Sequence, residues 1–560
     1  MKKLTVLVGL LLNILPVSAQ NIGVNNPAPH ASALWDMVAT DKGILIPRMS
    51  AVQRAAIAAP ATGLLVYDLT VNKFMYYDGT AWQQIGGAVN AWGLSGNTGN
   101  TAANFIGTTD DQPLRLKINN VSCGYIDNVD GAFTGRCVFL GLRAGLNNTA
   151  SGYDNVYVGY KSGTSNTDGE FNTGLGSFTL QNSANAYSNT AIGAYAMQNA
   201  VSSIQSTAVG TGALTTTSSG NYNQAMGYHA MFATTNAGTS NNAMGYEALL
   251  NNTGSNNCAV GNWALKQNTS GSSNCAFGLS ALLNNTIGVS NIAIGESALM
   301  SNTLGNYNLA IGQQSGQTNT LGTNNTSVGA FSLQNNTSGS NVAIGYQSGA
   351  LRASYLGCTM IGVSADMSVN LLNNATAIGY NAVATASNQV KIGNAFVTAI
   401  GGAVNWSVIS DGRFKKDVQE NIPGLQFINA LRPVSYSYDL QKYNRQILPE
   451  ANTDSAYAFC NGAEKEKVRY SGFIAQEVEA AAMAIGYAFS GVVTPQNETD
   501  TYSIRYAEFV VPLVKAVQEL SVENNSLKAA NTALEQQLAA INLRLALLEQ
   551  STLNSVTVNH

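Results

Sequence analysis

The stretch Asn341-Val342-Ala343-Ile344-Gly345 repeats a phrase met many times in the middle of the chain, as Thr190-Ala191-Ile192-Gly193, Asn242-Ala243-Met244-Gly245 and Cys275-Ala276-Phe277-Gly278. Its form is Asn-x-Ala-apolar-Gly. The closing glycine falls at 141, 159, 176, 193, 210, 227, 245, 261, 278, 295, 312, 329, 345, 362 and 379, always 16, 17 or 18 residues after the one before. A second feature keeps the same phase. Three residues after each glycine stands a small residue, usually followed by Leu, Met or Gly, as in Ala248-Leu249, Ala264-Leu265, Ala281-Leu282 and Ala298-Leu299. Asn, Thr, Ser and Gly fill the rest, a composition that alone would describe a disordered polar tract. Two apolar positions held in register over fourteen intervals argue against disorder.

A unit of about 17 residues is too short to bury an apolar face by itself, so the units must stack. One turn of a β-solenoid or β-roll fits: two short strands, apolar side inward, joined by Gly and Asn turns that need positive φ. Stacking places like above like, so the asparagines are expected to form hydrogen-bonded ladders. Cys258 and Cys275 become neighbours on adjacent turns, expected as small stacked core residues rather than a reactive pair, with a disulfide between them as the alternative. At about 4.8 Å per layer, fourteen intervals make a rod on the order of 65 Å. Over residues 135–395 the pattern resembles the head domains of trimeric autotransporter adhesins, which implies a parallel β-roll shared by three chains.

Charge marks the domain limits. Of 560 residues, 1–130 hold 16 charged side chains, 131–400 hold 12 and 401–560 hold 30. The net charge of −4 gives no reason to expect nucleic acid or an anionic membrane as a partner. Lys2 and Lys3, the apolar run Leu4 to Leu15 and the small-residue site Val17-Ser18-Ala19 read as a secretory signal over 1–19, so the chain is expected at the cell surface or outside the cell. The apolar run is too short to span a membrane and Pro16 interrupts it, so no transmembrane segment is expected in the mature chain. Six cysteines without CxxC pairs (Cys123, Cys137, Cys258, Cys275, Cys358, Cys460) and three histidines (His30, His229, His560) predict neither a metal centre nor a His-dependent triad. No cofactor is expected.

Before the repeats, a small β region over 20–90 and a connecting β segment over 91–130 are predicted. Thr62 to Asp68 and Lys73 to Trp82 read as short strands joined by a turn. Gly43-Ile44-Leu45-Ile46-Pro47-Arg48-Met49, Gln53-Arg54, the Tyr76-Tyr77-Asp78-Gly79 strand ending at Trp82, Trp92 to Asn97 and Asn104 to Asp110 resemble the start of exported tail-fibre-like proteins of Bacteroidetes-type bacteria. Trp82 and its tyrosines have two readings, a carbohydrate-stacking surface or the packing of a small β domain; the second is the commoner use.

After the repeats, Ser410-Asp411-Gly412-Arg413-Phe414-Lys415-Lys416-Asp417-Val418 is followed by Ile422-Pro423-Gly424-Leu425, Leu431-Arg432-Pro433-Val434-Ser435-Tyr436, Gly472-Phe473-Ile474-Ala475-Gln476-Glu477-Val478 and Tyr502-Ser503-Ile504-Arg505-Tyr506. This ordered set resembles the intramolecular chaperone of phage tail spikes and endosialidases, the S74 peptidase family. The resemblance implies a small α+β domain over 405–512 that trimerises, helps the preceding β-fibre assemble in register and then cuts itself off before a serine. It makes Ser410 the nucleophile, Lys415 its partner (Lys416 being a rival) and Ile409–Ser410 the scissile bond, with Asp411 and Arg413 ordering the loop. Phe414 stands where the family commonly has Leu. A serine hydroxyl needs a base, and lysine serves as one only when desolvation lowers its pKa, so burial on assembly would couple cleavage to folding.

Leu513, Val517, Leu520, Asn524, Leu527, Asn531, Leu534, Leu538, Ile541, Leu545 and Leu548 alternate spacings of four and three, predicting a parallel coiled coil over 513–550 before a tail at 551–560. On its own, Asn at a with Leu at d suggests a dimer; the homotrimer is what the family resemblance implies. The expected whole is mostly β: a stacked fibrous stalk, a chaperone domain and a coiled coil. Its expected function is an exported, adhesin-like surface fibre with a self-releasing chaperone. A fibre keeping its chaperone as an uncleaved trimer clasp is the alternative, and a ligand such as a surface carbohydrate stays unspecified. A polysaccharide-degrading spike needs paired carboxylates, and the repeats offer only the scattered Asp154, Asp168, Glu170, Glu247, Glu296 and Asp366.

Overall fold

The computed structural model describes residues 21–85, 105–110, 112–127, 135–216, 219–232, 238–449 and 462–557. The predicted signal segment, the Trp92 to Asn97 stretch, Cys460 and His560 lie outside the described residues. Residues 1–107 and 108–560 form two compact units.

In the first unit, Arg48–Met49, Leu65–Asp68, Lys73–Tyr77 and Trp82–Gln84 make a four-stranded sheet, parallel at its first pair and antiparallel after that. Helix α1 (Ala51–Ala55) begins in a capping box, in which Ser50 Oγ accepts from the Gln53 N–H and Gln53 Oε1 accepts from the Ser50 N–H. Val66 and Met75 are buried between them, and the carboxylate of the fully buried Asp68 pairs with Arg54 at 3.1 Å. Trp82 packs on Tyr77 with ring centroids 5.6 Å apart, and the Arg54 guanidinium lies over its ring. Its aromatic face is thus engaged inside this small domain.

The second unit opens with the antiparallel strands Leu114–Ile118, Val121–Ile126 and Val138–Leu140. From Val138–Leu140 to Val390–Ile392 the chain then lays down sixteen three-residue strands in one parallel ladder, each in register with the next. Cys275–Phe277, for example, faces Cys258–Val260 on one side and Ile292–Ile294 on the other. The stacked repeat expected from the sequence is present, with one difference. Each turn carries one strand rather than two, except where Asp366–Met367 pairs with Val383–Ala384.

The reason lies in the residues after the glycine. Around Gly278, Ser280 has φ +57° and Leu282 φ +51°. This left-handed backbone cannot continue a strand, yet the Ser280 and Leu282 N–H groups still reach neighbouring turns, at Asn262 O and Ala298 O, both 3.0 Å. A leucine pays about 1–2 kcal/mol for that conformation. Its full burial returns about 1.5–3 kcal/mol, and Leu249, Leu265 and Leu282 are all fully buried. Packing therefore decides the backbone here.

The box glycines have φ between +118° and +139°. From Gly141 to Gly362, a Cβ would come within 2.3–2.9 Å of the backbone of the glycine one turn on. Both the dihedral and the close approach exclude a side chain. The asparagine before each strand forms the expected ladder. Asn274 Nδ2 donates to Asn257 Oδ1 at 3.2 Å and to Gly288 O at 2.8 Å, while its own Oδ1 accepts from the Asn291 N–H at 2.9 Å. A second ladder runs through Asn252, Asn268, Asn285 and Asn302 at 2.6–2.8 Å. Buried amides this completely paired have no unmet hydrogen-bonding demand.

The box alanine points into the roll, with Ala191, Ala208, Ala259 and Ala276 fully buried. The larger apolar residue beside the glycine points outward, against the expectation that the apolar side of the strand faces in. Cys258 and Cys275 are register partners and free thiols, but they too lie on the outward side of their strands, half-buried rather than in the core. Alanine fills most of these inward positions, where the sheet meets the buried leucines, with Phe139, Tyr157 and Met360 as larger buried exceptions, and the outer face is left to the residue beside the glycine.

Past the ladder stand α2 (Leu425–Ala430), α3 (Leu440–Ile447), α4 (Gly462–Lys465), α5 (Ala475–Ala484) and α6 (Val510–Thr557), with the antiparallel pairs Val434–Tyr436/Tyr470–Gly472 and Val492–Val493/Ser503–Ile504. Phe427, Val478, Ala482 and Phe509 form the buried centre of this small α+β domain. Helix α6 is continuous for 48 residues, so the predicted tail at 551–560 is helical as far as Thr557. No Gly or Pro follows residue 550 to stop it. Pro512 sits in its first turn, where the missing N–H is tolerated. The heptad leucines of α6 are solvent-exposed, Leu527 and Leu534 each at 60%. No helix of the described residues is long and apolar enough to cross a membrane.

Candidate functional site

Asp411 begins a single 3-10 turn, Gly412–Phe414, by accepting the Arg413 N–H at 2.9 Å. The Arg413 side chain returns to the same carboxylate, with Nη2 to Oδ2 at 2.6 Å and Nε to Oδ2 at 2.9 Å. These bonds, the guanidinium foremost, hold the Asp411 carboxyl below the usual carboxylate range. The turn brings Lys415 back over Ser410, and Lys415 Nζ donates to Ser410 Oγ at 2.9 Å. The two residues singled out in the sequence are therefore adjacent, and Asp411 with Arg413 form the staple that bends the chain between them.

The site lies on a segment without regular structure, between the solenoid and α2. Its surroundings are open. Ile409 is 86% exposed, and Val404, Trp406 and Val408 before it are each at least 80% exposed. A lysine ammonium that donates to a serine must first lose its proton to act as a base. In this single chain Lys415 is exposed, so desolvation would have to come from a surface outside it.

The remaining motifs build the domain. Gly424 lets α2 lie against α6: a Cβ there would meet Glu519 Oε2 at 2.4 Å and Ala516 N at 2.8 Å. Glu519 Oε2 accepts the Leu425 N–H at 2.7 Å, satisfying one orphan donor at the start of α2. Arg432 makes a two-pronged ion pair with Glu477, its Nε 3.0 Å from Oε2. Gly472 leaves room for Tyr506, whose hydroxyl accepts the Phe473 N–H at 3.2 Å.

A second locus was not foreseen from the sequence. The loop Gln496–Asp500 and helix α3 close over the last turns of the solenoid. Thr499 Oγ1 donates to Ser368 Oγ at 2.6 Å, Asn497 Nδ2 to Thr385 O at 2.6 Å, and Thr385 Oγ1 to Asp500 Oδ1 at 2.5 Å. Val383 is buried with Ile447 and Leu448, against Tyr443. Lys465 Nζ donates to Val397 O at 2.5 Å. The final turns thus end against matched polar and apolar partners, not as an open edge. Partners more than 110 residues apart carry no local signal that could have announced this contact.

A β-solenoid closed by a small domain and followed by a long helix fits a tail-fibre-like protein. Comparison with protein families agrees. Residues 21–102 match the family model of the phage tail like trimerisation region, and residues 410–487 match that of the chaperone of endosialidase. The second match begins at Ser410. No curated protein matches the chain. The two matches support a tail-fibre-like, trimeric fibre protein with an endosialidase-type chaperone domain at its C-terminal side.

Proposed function

We propose that this chain is an exported surface fibre whose C-terminal domain assembles three copies and then severs itself at Ile409–Ser410. The observation that carries the reading is the 2.9 Å bond from Lys415 Nζ to Ser410 Oγ, on an exposed stretch between two folded parts. In the proposed reaction Lys415, desolvated and neutral, takes the Ser410 hydroxyl proton. Ser410 Oγ attacks the carbonyl carbon of Ile409, and the C–N bond breaks as the Ser410 nitrogen gains a proton. The product is an ester between Ile409 and Ser410 Oγ. Water hydrolyses it to a carboxylate at Ile409 and a free Ser410 hydroxyl and amine. The step occurs once per chain. The exposed Val404, Trp406 and Val408 supply the apolar surface that neighbouring copies would cover, which is how assembly would desolvate Lys415. Export rests on Lys2-Lys3, the apolar run and Val17-Ser18-Ala19.

Intact mass measurement of the purified chain beside Ser410→Ala and Lys415→Ala tests cleavage. Two fragments in the wild type, the second starting at Ser410, with one uncut chain in both variants, is the expected result. A properly assembled but uncut wild-type chain would overturn self-cleavage. That outcome favours the second reading, a permanent clasp, for which the buried contacts of Ser368, Val383 and Thr385 with the chaperone domain already provide a non-covalent hold.

A further inference from the structure

Two residues after the box glycine the backbone is left-handed, as at Ser280 and Ser297, φ +57° each. Leu282 shows what repays such a conformation, namely full burial. Trp263, φ +60° at the place of Ser280 one turn earlier, has no such return: it is 39% exposed. A bulky residue held there is an outlier, and strain that packing does not repay points to function. Serine serves the same place on the next two turns, so folding does not ask for a ring.

Trp263 ends a column of three rings. Tyr228 and Tyr246, 46% and 41% exposed, stack on successive turns with centroids 5.4 Å and planes 10° apart. Trp263 stands 6.2 Å from Tyr246 but is turned by 84°, so its plane does not continue the stack. Charged and amide groups border the rings. Glu247 pairs with Lys266 at 2.6 Å, and Lys266 Nζ lies 5.9 Å from the Trp263 ring centre. Lys266 foremost, with the Tyr246 hydroxyl and the Trp263 indole N–H, holds the Glu247 carboxyl below its usual range against the effect of burial. A carboxylate has about four acceptor positions, so these three donors do not exhaust it. Asn262, exposed beside Trp263, accepts the Tyr246 N–H at 3.0 Å through Oδ1 and leaves its Nδ2 to donate.

We propose that Tyr228, Tyr246 and Trp263, with Glu247, Lys266 and Asn262 at their edge, form a binding site for a neutral glycan chain lying along the rod. A pyranose ring has an apolar C–H face and a rim of hydroxyls that both donate and accept. The C–H face suits the negative face of an aromatic ring. The hydroxyls suit Glu247 as acceptor and Lys266 and Asn262 as donors. Glu247 and Lys266 cancel in charge, which removes any pull on an ionic ligand. A dry apolar partner would strip water from that ion pair, a cost that a hydroxyl-bearing ligand offsets with hydrogen bonds. Rings on three successive turns cover two steps of ~4.8 Å, about 10 Å, the reach of a short oligosaccharide. The inference rests on the surface-fibre reading for where the chain meets a glycan, and does not involve self-cleavage.

The test applies the full chain to an array of immobilised neutral glycans (glucans, mannans, galactans and xylans) beside sialylated and sulfated chains. The strongest neutral binder is then titrated by calorimetry. Trp263→Ser copies the residue of the next turns and should weaken binding on the order of tenfold; Glu247→Gln should weaken it too. Phe331→Ser, the same exchange at the equivalent place four turns on, should leave it unchanged. Circular dichroism confirms the fold of each variant. Binding to no neutral glycan, stronger binding to the anionic chains, or unchanged affinity in Trp263→Ser would each overturn the site. Native mass spectrometry of Trp263→Ser adds a check: loss of the wild-type assembly would mean that the rings face another copy, and would overturn the site as well. Antibody labelling of intact cells reports the surface-fibre reading separately. An intracellular chain that still binds the glycan after purification would undo that reading and keep the site.

Discussion

Thr385 and Asp500, 115 residues apart, are joined by a 2.5 Å hydrogen bond from the Thr385 hydroxyl to Asp500 Oδ1, in a site where both residues are buried. The same carboxylate accepts the Gln496 N–H through its other oxygen at 3.0 Å. The final turns of the solenoid are therefore held by the domain that follows them in the chain. Asp500→Ala would leave the Gln496 N–H without its acceptor and the Thr385 hydroxyl with only Gln389 Oε1, 3.2 Å away, at a cost of about 1–3 kcal/mol. Hydrogen exchange at 383–385 should accelerate in this variant, while exchange at the central strand 275–277 stays unchanged. Unaltered protection at 383–385 would mean that the cap does not hold the end of the stack.

Gly278→Ala should destabilise the solenoid by about 1–3 kcal/mol from its backbone conformation alone, at φ +135°. The methyl group adds a clash, since it would stand 2.5 Å from Gly295 O. Gly401→Ala, with nothing within 4 Å of its Cβ, is the matched control and should be neutral. Thermal unfolding followed by circular dichroism separates the two; equal midpoints would remove the close-approach argument.

Burial raises the Asp366 carboxyl to about 6, against the pull of the Leu351 and Met367 N–H groups. A folded carboxyl that holds its proton more tightly than the unfolded one binds more protons in the native state between about pH 4 and 6. Its contribution therefore favours folding at low pH and is lost as pH rises through 6, by about 3 kcal/mol in full. The difference in stability between wild type and Asp366→Asn should change with that sign between pH 4 and 7. A difference that stays flat across this window would show that Asp366 titrates normally.

Asn524 and Asn531 occupy a positions of the exposed seam of α6. If that seam pairs with other copies, replacing both with Leu should raise thermal stability while loosening register and oligomer state. Light scattering after size exclusion should then show more than one mass. A single unchanged mass with unchanged stability would place the seam outside the assembly.

Much of this protein is written in its spacing. A glycine every 16–18 residues, with Asn before the strand and Ala-Leu after it, determines a stack, because only in-register turns let each glycine approach the next and each amide pair with its copy. The order of motifs from Ser410 to Tyr506 likewise determined where the chaperone domain lies and which serine and lysine to compare. What the spacing left open was settled by three-dimensional packing. Leu282 accepts a left-handed backbone because its side chain is buried there, which reduces each turn to one strand. The box alanine, rather than its bulkier neighbour, is the residue that fits inside. Ser368 and Thr385 find Thr499 and Asp500 only once the stack has an end to be covered. Local periodicity fixes which residues repeat. Burial and long-range hydrogen bonding, which act between residues with no sequence relation, decide which way they face and where the repeat stops.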